Sequence, residues 1–267
     1  LVSHELNIFH FLQSVYAFIA FCCVASSVYI LNDLLDLQSD RAHPRKRLRS
    51  FAAGDVSLSF GIWALALLLC AGTIVAQLSS IMFSIALGVY FTITLAYSLF
   101  LKRKVVVDIC VLAGLYTMRI ISGGTATGIE LSVWLLAFSI FFFLSLASVK
   151  RQAELVDLSN RNELVIQGRG YAVTDLPIIS SISITAGYLS VLVMALYINS
   201  PVILELYQTP EALWGICCVL IYWITRVVLV AQRGLMHDDP VVFASTDRIS
   251  QICFIVILVL IFFGASW

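Results

Sequence analysis

Charged residues are scarce in this chain. They make up 12 % of its 267 residues, whereas apolar residues make up 61 % and the mean hydropathy is +0.99. Soluble globular domains carry about a quarter charged residues, so this composition excludes an ordinary water-soluble protein. It indicates one domain, residues 1–267, that crosses a membrane several times. We expect the bilayer itself as a partner, and no nucleic acid.

Cysteine and histidine motifs are also missing. The seven cysteines lie inside apolar segments without zinc-type spacing, so the sequence predicts neither a disulfide framework nor a zinc site. His4 and His10 have no carboxylate or second histidine at ligand spacing, and we assign both a structural role. No cleavable signal peptide is visible, and the sequence begins with Leu1. We therefore expect a fragment.

Long apolar runs are what the sequence does contain. A transmembrane helix needs about 17 to 25 mostly apolar residues, and eight runs approach or meet that length. They predict an all-α polytopic bundle of eight helices. The runs are residues 8–31, 58–78, 80–101, 105–122, 131–149, 177–199, 211–231 and 249–267.

The cations divide between the connecting segments unevenly. Of the 16 Lys and Arg residues, 14 lie in 32–57, 102–104, 150–176 and 232–248, and the segments 123–130 and 200–210 contain none. Lys and Arg in short loops stay on the cytoplasmic side. This pattern predicts that every candidate catalytic segment faces the cytoplasm. We expect the protein to lie in a bacterial inner membrane.

Three carboxylates follow the first apolar run. The spacing i, i+3 and i+7 places Asp33, Asp36 and Asp40 on one face of a helix. Asn32 lies on the same face because it is four residues before Asp36. Acidic groups beside a membrane are costly and usually functional. Mg²⁺ prefers such hard oxygen ligands and commonly joins one or two carboxylates to substrate phosphates. We call Asp33, Asp36 and Asp40 the aspartate triad and predict a magnesium site there.

A basic run comes next along the chain. It contains five cations that are candidates to meet the remaining phosphate charge. A simpler interpretation, a helix cap followed by membrane anchors, explains these cations but not the triad. The cations are Arg41, Arg45, Lys46, Arg47 and Arg49.

A second charged segment, Lys150-Arg151-Gln152-Ala153-Glu154-Leu155, ends the fifth predicted helix. Lys150 and Glu154 are one helical turn apart, so a cation and a carboxylate share a face. This segment is predicted either to bind phosphate or to form a weak surface ion pair.

A third group surrounds the fourth helix. Tyr97 and Lys102 precede it, and Asp108 and Arg119 lie within it, 11 residues apart. Their separation of about 16 Å along a helix is too large for direct pairing. Each therefore needs a partner on another helix or a polar cavity.

The weakest signal is the polar stretch 237–240 with Thr246-Asp247-Arg248. A turn and an N-terminal cap for the last helix explain most of it.

The sequence around the triad resembles the UbiA superfamily of intramembrane prenyltransferases, whose first signature is N-D-x-x-D-x-x-x-D. Asn32, Asp33, Asp36 and Asp40 match it in full. The basic run, the fourth helix and the K-R-x-x-E-L at Lys150 look most like decaprenyl-phosphate phosphoribosyltransferases.

Several positions depart from the superfamily pattern. Lys150, Arg151 and Glu154 stand where a second D-x-x-x-D is usual, and Ser50 stands where proline is usual. Tyr97 precedes Lys102 by five positions rather than four. Members have nine helices with the triad ending the second, so the resemblance implies that one helix precedes Leu1, with a soluble domain as a further option.

The resemblance implies a Mg²⁺-dependent transferase. A phosphoribosyl diphosphate donor and a polyprenyl phosphate acceptor are favoured over a prenyl diphosphate and an aromatic acceptor, and a lipid carrier or transporter is a separate alternative. A homo-oligomer is also compatible. The implied metal ligands and catalytic residues are Asp33, Asp36 and Asp40; the implied substrate-binding residues are Asn32, Arg41, Lys46, Arg47, Tyr97, Lys102, Asp108, Arg119, Lys150, Arg151 and Glu154.

Overall fold

The computed structural model describes residues 8–42, 46–165, 169–201, 203, 207, 209–236 and 239–264. Helices account for the regular structure of these residues, and the one β-type pairing among them is an isolated bridge between Val165 and Ala172. The predicted all-α fold is confirmed. The helices are α1 (Ile8–Leu35), α2 (Leu37–Ala42), α3 (Ser50–Ala53), α4 (Leu58–Ala76), α5 (Ile81–Leu99), α6 (Val107–Thr127), α7 (Val133–Asn160), α8 (Leu176–Ile198), α9 (Trp214–Gln232), α10 (Pro240–Thr246) and α11 (Arg248–Gly264).

Within the described ranges, seven helical segments are long and apolar enough to cross a membrane, and an eighth span results if α10 and α11 are one broken span. These two helices meet at an angle of 81°. Asp247 lies at the break and caps α11, because its Oδ2 accepts a hydrogen bond of 2.8 Å from the backbone N–H of Ser250. The predicted cap is therefore confirmed. The predicted helix at 249–267 corresponds to α11 up to Gly264, and its last three residues lie outside the described part of the chain.

Two predicted helix ends were too early. The fourth helix was expected to end at residue 122, but α6 passes through Gly123 and Gly124 and ends before Gly128, whose φ is +73°. Only glycine adopts that conformation without strain. The fifth helix was expected to end near residue 149, but α7 continues to Asn160.

Serines begin three of the membrane-length helices. Ser57 and Ser80 accept hydrogen bonds from the backbone N–H three residues later, and Ser132 accepts one from Trp134. Each bond satisfies a donor that the first helical turn cannot use internally. The cap of α5 lies at the boundary between the predicted runs 58–78 and 80–101.

Two compact units divide the chain. Unit 1 comprises Leu1–Arg103 and Met118–Leu131, and unit 2 comprises Lys104–Thr117 and Ser132–Trp267. In unit 1, α1 packs against α4 where a Cβ on Gly72 would lie 2.8 Å from Val24 Cγ2 and 3.0 Å from the Ala20 carbonyl oxygen. Small residues permit this close approach, as is common between membrane helices. The aspartate triad therefore extends from a tightly packed helix.

In unit 2, α7 packs against α8 and α9. Polar side chains link these helices: Ser145 Oγ donates to the Ser183 carbonyl at 2.6 Å, and Gln152 Nε2 donates to Gln232 Oε1 at 2.8 Å. These bonds satisfy polar groups inside an apolar core. They hold the part of α7 that carries the second charged segment.

Candidate active site

The aspartate triad occupies the end of α1 and the start of α2. Asp33 lies in α1, Asp36 in the turn that follows, and Asp40 in α2. The backbone N–H of Asp36 bonds to Asn32 and that of Asp40 bonds to Asp36, both at 2.9 Å, so the helical path continues through the turn. Asn32 is half-buried.

Arg49 bridges two members of the triad. Its Nη1 atom donates to Asp33 Oδ1 at 3.0 Å and to Asp40 Oδ2 at 2.8 Å. The Asp40 side chain is 4 % exposed, whereas those of Asp33 and Arg49 are 35 % and 46 % exposed. One guanidinium nitrogen thus compensates a buried and a half-exposed carboxylate.

Lys102 neutralises the third member. Its Nζ lies 2.7 Å from Asp36 Oδ1 and 2.9 Å from Oδ2, so both carboxylate oxygens are engaged. The lysine is held in the 3₁₀ turn Leu101–Arg103 that follows α5, and its side chain is 11 % exposed. Tyr97, in the last turns of α5, is buried.

The remaining basic-run residues are arranged differently. Arg41 is exposed and its Nε donates to the Ala52 carbonyl at 3.3 Å, whereas Arg47 is exposed. The side chain of Lys46 lies outside the described part of the chain, as do residues 43–45. Among the basic-run side chains that the structure describes, Arg49 is bonded to the triad.

The triad has the donor chemistry of a magnesium site but not a closed set of ligands. Among the described residues, no three His, Cys, Asp or Glu side chains converge as ligands of one metal ion. Mg²⁺ does not need such a cage, because one or two carboxylates and substrate phosphates commonly suffice. The oxygen donors therefore fit Mg²⁺, provided that bonds to the metal replace the present bonds to Arg49 and Lys102.

A second charged group lies in unit 2. Arg151 and Asp108 are both fully buried, with Nε 2.9 Å and Nη2 2.8 Å from Asp108 Oδ2. Arg169, on the segment between α7 and α8, donates to Asp108 Oδ1 at 3.0 Å, and Glu154 bonds to Arg151. We call Asp108, Arg151, Glu154 and Arg169 the buried charge cluster; it holds two cations and two carboxylates.

Tyr171 completes this cluster. The Arg151 guanidinium lies 5.4 Å from the centroid of its ring, a cation–π arrangement. The phenol oxygen accepts a hydrogen bond of 3.0 Å from the N–H of Val106, whose φ is +67°. Burial raises the pKa of the Tyr171 phenol, so it stays neutral as this acceptor.

Lys150 and Glu154 do not form the predicted ion pair. Lys150 Nζ bonds to Asp239 Oδ2 at 2.6 Å, whereas Glu154 contacts Arg151 and lies 3.8 Å from Arg169. Tertiary partners thus override the one-turn spacing. The segment also lies inside α7 rather than at its end.

Arg119 has a neighbour within unit 1. Its Nη2 donates to the Tyr90 hydroxyl at 3.4 Å, and its guanidinium carbon lies 6.0 Å from that ring. Asp108 has its partner on α7. Both groups therefore have the partners on other helices that the sequence required.

Sequence reasoning missed several contacts. Arg49 was one of five equivalent cations, Asp239 was noted only as part of the weak polar stretch 237–240, and Arg169 and Tyr171 were not selected at all. Arg169 lies 61 residues from Asp108, so helical periodicity gives no signal for it. A useful signal was the buried acid itself: Asp108 required a cation, and the segment after α7 held candidates.

Comparisons with known proteins agree with this architecture. Residues 3–246 match the model of the UbiA prenyltransferase family. The chain is 32 % identical over 242 residues to a decaprenyl-phosphate phosphoribosyltransferase of Mycolicibacterium smegmatis, covering 90 % of this chain and 76 % of that protein.

Two further relatives carry other names. An uncharacterized protein, y4nM, of Sinorhizobium fredii is 37 % identical over 90 % of this chain, which spans 46 % of that protein, about half its length. The nodulation protein NoeC of Azorhizobium caulinodans is 37 % identical over 89 % of this chain and 77 % of its own.

The fold is shared with a solved structure. A UbiA homolog from Archaeoglobus fulgidus, bound to DMAPP and Mg²⁺, has a TM-score of 0.69 at 13 % identity, covering 93 % of this chain and 87 % of that one. The likeness concerns the fold, and the family match covers most of the sequence. The chain therefore belongs to the UbiA prenyltransferase family.

Proposed function

We propose that this chain is a Mg²⁺-dependent membrane transferase that moves a phosphoribosyl group from phosphoribosyl diphosphate to a polyprenyl phosphate. The aspartate triad, with two cations bonded to its oxygens, is the observation that carries the proposal. It combines ligands for a divalent ion with donors for phosphate oxygens. The relative named decaprenyl-phosphate phosphoribosyltransferase supports this choice of substrates.

In this proposal Asp33, Asp36 and Asp40 would hold Mg²⁺ together with the substrate's diphosphate. The ion would supply stabilisation of the negative charge on the leaving pyrophosphate. Lys102 and Arg49 donate hydrogen bonds to phosphate oxygens, with Arg41, Lys46 and Arg47 as further candidates. These donors matter most as charge develops in the transition state.

The reaction balances without a redox partner. The bond between ribose C1 and the diphosphate oxygen breaks, and pyrophosphate leaves with the electron pair. An anionic oxygen of polyprenyl phosphate attacks C1, which has oxocarbenium character, and forms the new C–O bond. The protein's task is to bind, orient and neutralise the two anionic substrates. We place this chemistry in a bacterial cytoplasmic membrane, open to the cytoplasm, with the polyprenyl chain entering from lipid.

The test is a defined reaction. Purified full-length protein is incubated with Mg²⁺, polyprenyl phosphate and phosphoribosyl diphosphate while pyrophosphate and the mass of the lipid are followed. We expect pyrophosphate release with a gain of one phosphoribosyl group on the lipid. Release only with a prenyl diphosphate and an aromatic acceptor would replace this proposal with prenyl transfer. Lipid exchange without pyrophosphate release would establish a carrier.

A further inference from the structure

Two protein cations occupy the oxygens that the proposed metal site needs. We propose that Arg49 and Lys102 are exchangeable counter-ions: they neutralise the triad when no metal is bound and move to the diphosphate when it arrives with Mg²⁺. This inference rests on the proposed function. It adds that metal and diphosphate bind cooperatively, with each strengthening the binding of the other.

Arg49 competes with a metal ion for two of the three carboxylates. A single nitrogen, Nη1, contacts carboxylates of two triad residues at 3.0 and 2.8 Å. Without such a cation, Asp33 and Asp40 would stand close together as like charges, one of them buried, which is unfavourable. A divalent ion coordinated by these residues would repel the guanidinium and compete for the same oxygens. Metal binding and the present position of Arg49 are therefore in competition.

Lys102 occupies Asp36 in the same way. Its ammonium group contacts both carboxylate oxygens, at 2.7 and 2.9 Å, so both are engaged before any metal binds. Arg49 and Lys102 come from different segments of the chain, the start of α3 and the turn after α5. Two separate cations thus satisfy all three carboxylates.

Partial exposure makes exchange feasible. The side chains of Arg49, Asp33 and Asp36 are 46 %, 35 % and 39 % exposed, so water reaches at least one partner of each bond, whereas those of Asp40 and Lys102 are 4 % and 11 % exposed. Arg151 and Asp108 in the buried charge cluster are both 0 % exposed, which leaves no such access. Exchange is therefore a property of the triad and not of every ion pair in the chain.

Cooperativity follows from the charges. Mg²⁺ alone must displace two cations and leave them beside a dication without new partners. A diphosphate supplies anionic oxygens to both displaced side chains. Because coupling between two ligands is reciprocal, the metal must strengthen diphosphate binding by the same factor.

The test compares metal alone with metal and pyrophosphate. Mn²⁺ binding to full-length protein in detergent is measured by the electron paramagnetic resonance signal of free Mn²⁺, without any phosphate. Binding of radiolabelled inorganic pyrophosphate is then measured at saturating Mg²⁺. The variants are Arg49→Gln and Lys102→Gln. Arg49→Lys retains the charge, and Arg103→Gln removes an exposed cation that makes no ion pair among the described residues.

We expect opposite effects in the two measurements. Arg49→Gln and Lys102→Gln bind Mn²⁺ about fivefold or more tightly than the wild type, and bind pyrophosphate with Mg²⁺ about fivefold or more weakly. Arg103→Gln and Arg49→Lys stay within about twofold of the wild type in both.

The outcomes separate this inference from the function. If the wild type binds neither Mn²⁺ nor Mg²⁺-pyrophosphate, the proposed metal site is wrong. A second outcome is that the wild type binds both ligands while the two neutral variants either change both affinities in the same direction or change neither. In that case the proposed exchange of counter-ions is wrong, whereas the proposed metal site still stands. A fall in both affinities is the result of a purely structural role.

Discussion

The aspartate triad and the buried charge cluster use the same residue types for different purposes. Asp33 and Asp36 of the triad, and the Arg49 bonded to it, are about one-third to one-half exposed, whereas Asp40 is 4 % exposed. In the buried charge cluster, Asp108 and Arg151 have no exposure at all. Ion pairs in contact with water contribute little to stability, whereas removing one partner of a buried pair is costly. The comparison teaches that exposure separates charges that can exchange partners from charges that hold a fold.

The largest effect is expected from removing the buried acid. Asp108→Ala leaves Arg151 without its main partner in the core and lowers the free energy of unfolding by about 3–5 kcal/mol. A denaturant titration in mixed micelles measures this loss. The matched control is Asp157→Asn, which removes a partly exposed one-turn pair with Arg161 and costs about 0.5 kcal/mol or less. Equal losses in the two variants would remove the distinction drawn between the clusters.

Asp36→Asn tests the other side of the comparison. We expect turnover to fall by about 100-fold or more, since metal stabilisation contributes several kcal/mol. Stability should change by less than about 1 kcal/mol, because the pair with Lys102 is partly exposed. Pyrophosphate release and the same titration measure the two effects.

The control for this variant is Asp55→Asn, an exposed carboxylate outside the triad. It should leave both measurements unchanged. Turnover that survives in Asp36→Asn would contradict the metal site.

A double substitution sharpens the interpretation of the buried pair. Asp108→Leu with Arg151→Met removes the two fully buried charges. It leaves Arg169 and Glu154, which are partly exposed and 3.8 Å apart, to pair with each other. Replacing a buried ion pair by apolar residues is often neutral or stabilising, and we expect the double variant to recover about 2 kcal/mol or more of the loss in Asp108→Leu. A double-variant cycle measures this coupling. Additive losses would mean that the two side chains stabilise the fold through separate contacts.

The smallest effect concerns Val106, held by the Tyr171 hydroxyl. A β-branched residue at φ +67° is strained, so Val106→Gly should raise the free energy of unfolding by about 1 kcal/mol after the entropy cost of glycine. Val105→Gly, at the preceding position without positive φ, should lower it by about 0.5–1 kcal/mol. Thermal unfolding of the two variants checks the opposite signs, and a loss in both would contradict strain at Val106.

The sequence predicted features that depend on local pattern. Apolar runs gave the order of the helices, because membrane helices are apolar on nearly every side. Helical spacing predicted one helical face for the triad. The backbone bonds from Asp36 to Asn32 and from Asp40 to Asp36 keep the i, i+4 pattern, but Asp36 lies in a turn between α1 and α2 rather than inside one helix. The use of these residues as metal ligands stays a prediction.

Features that depend on tertiary contact were not accessible. The fifth apolar run stops at residue 149, and the segment Lys150 to Leu155 was expected to end the helix, but Arg151 is neutralised inside the fold and α7 continues to Asn160. The choice of Arg49 among five neighbouring cations requires the position of α3. The partner of Lys150, Asp239, lies 89 residues away. No periodic pattern records such contacts.

The two cations of the triad also become available at different times during synthesis. Arg49 lies 16 residues beyond Asp33 and 9 beyond Asp40, whereas Lys102 lies 66 beyond Asp36. Protein chains emerge from the ribosome from the N-terminus, so Arg49 can pair with its two acids before α4 and α5 have been made. Asp36 must wait for both helices to be translated. Its bond to Lys102 can therefore form only after α4 and α5 have left the ribosome.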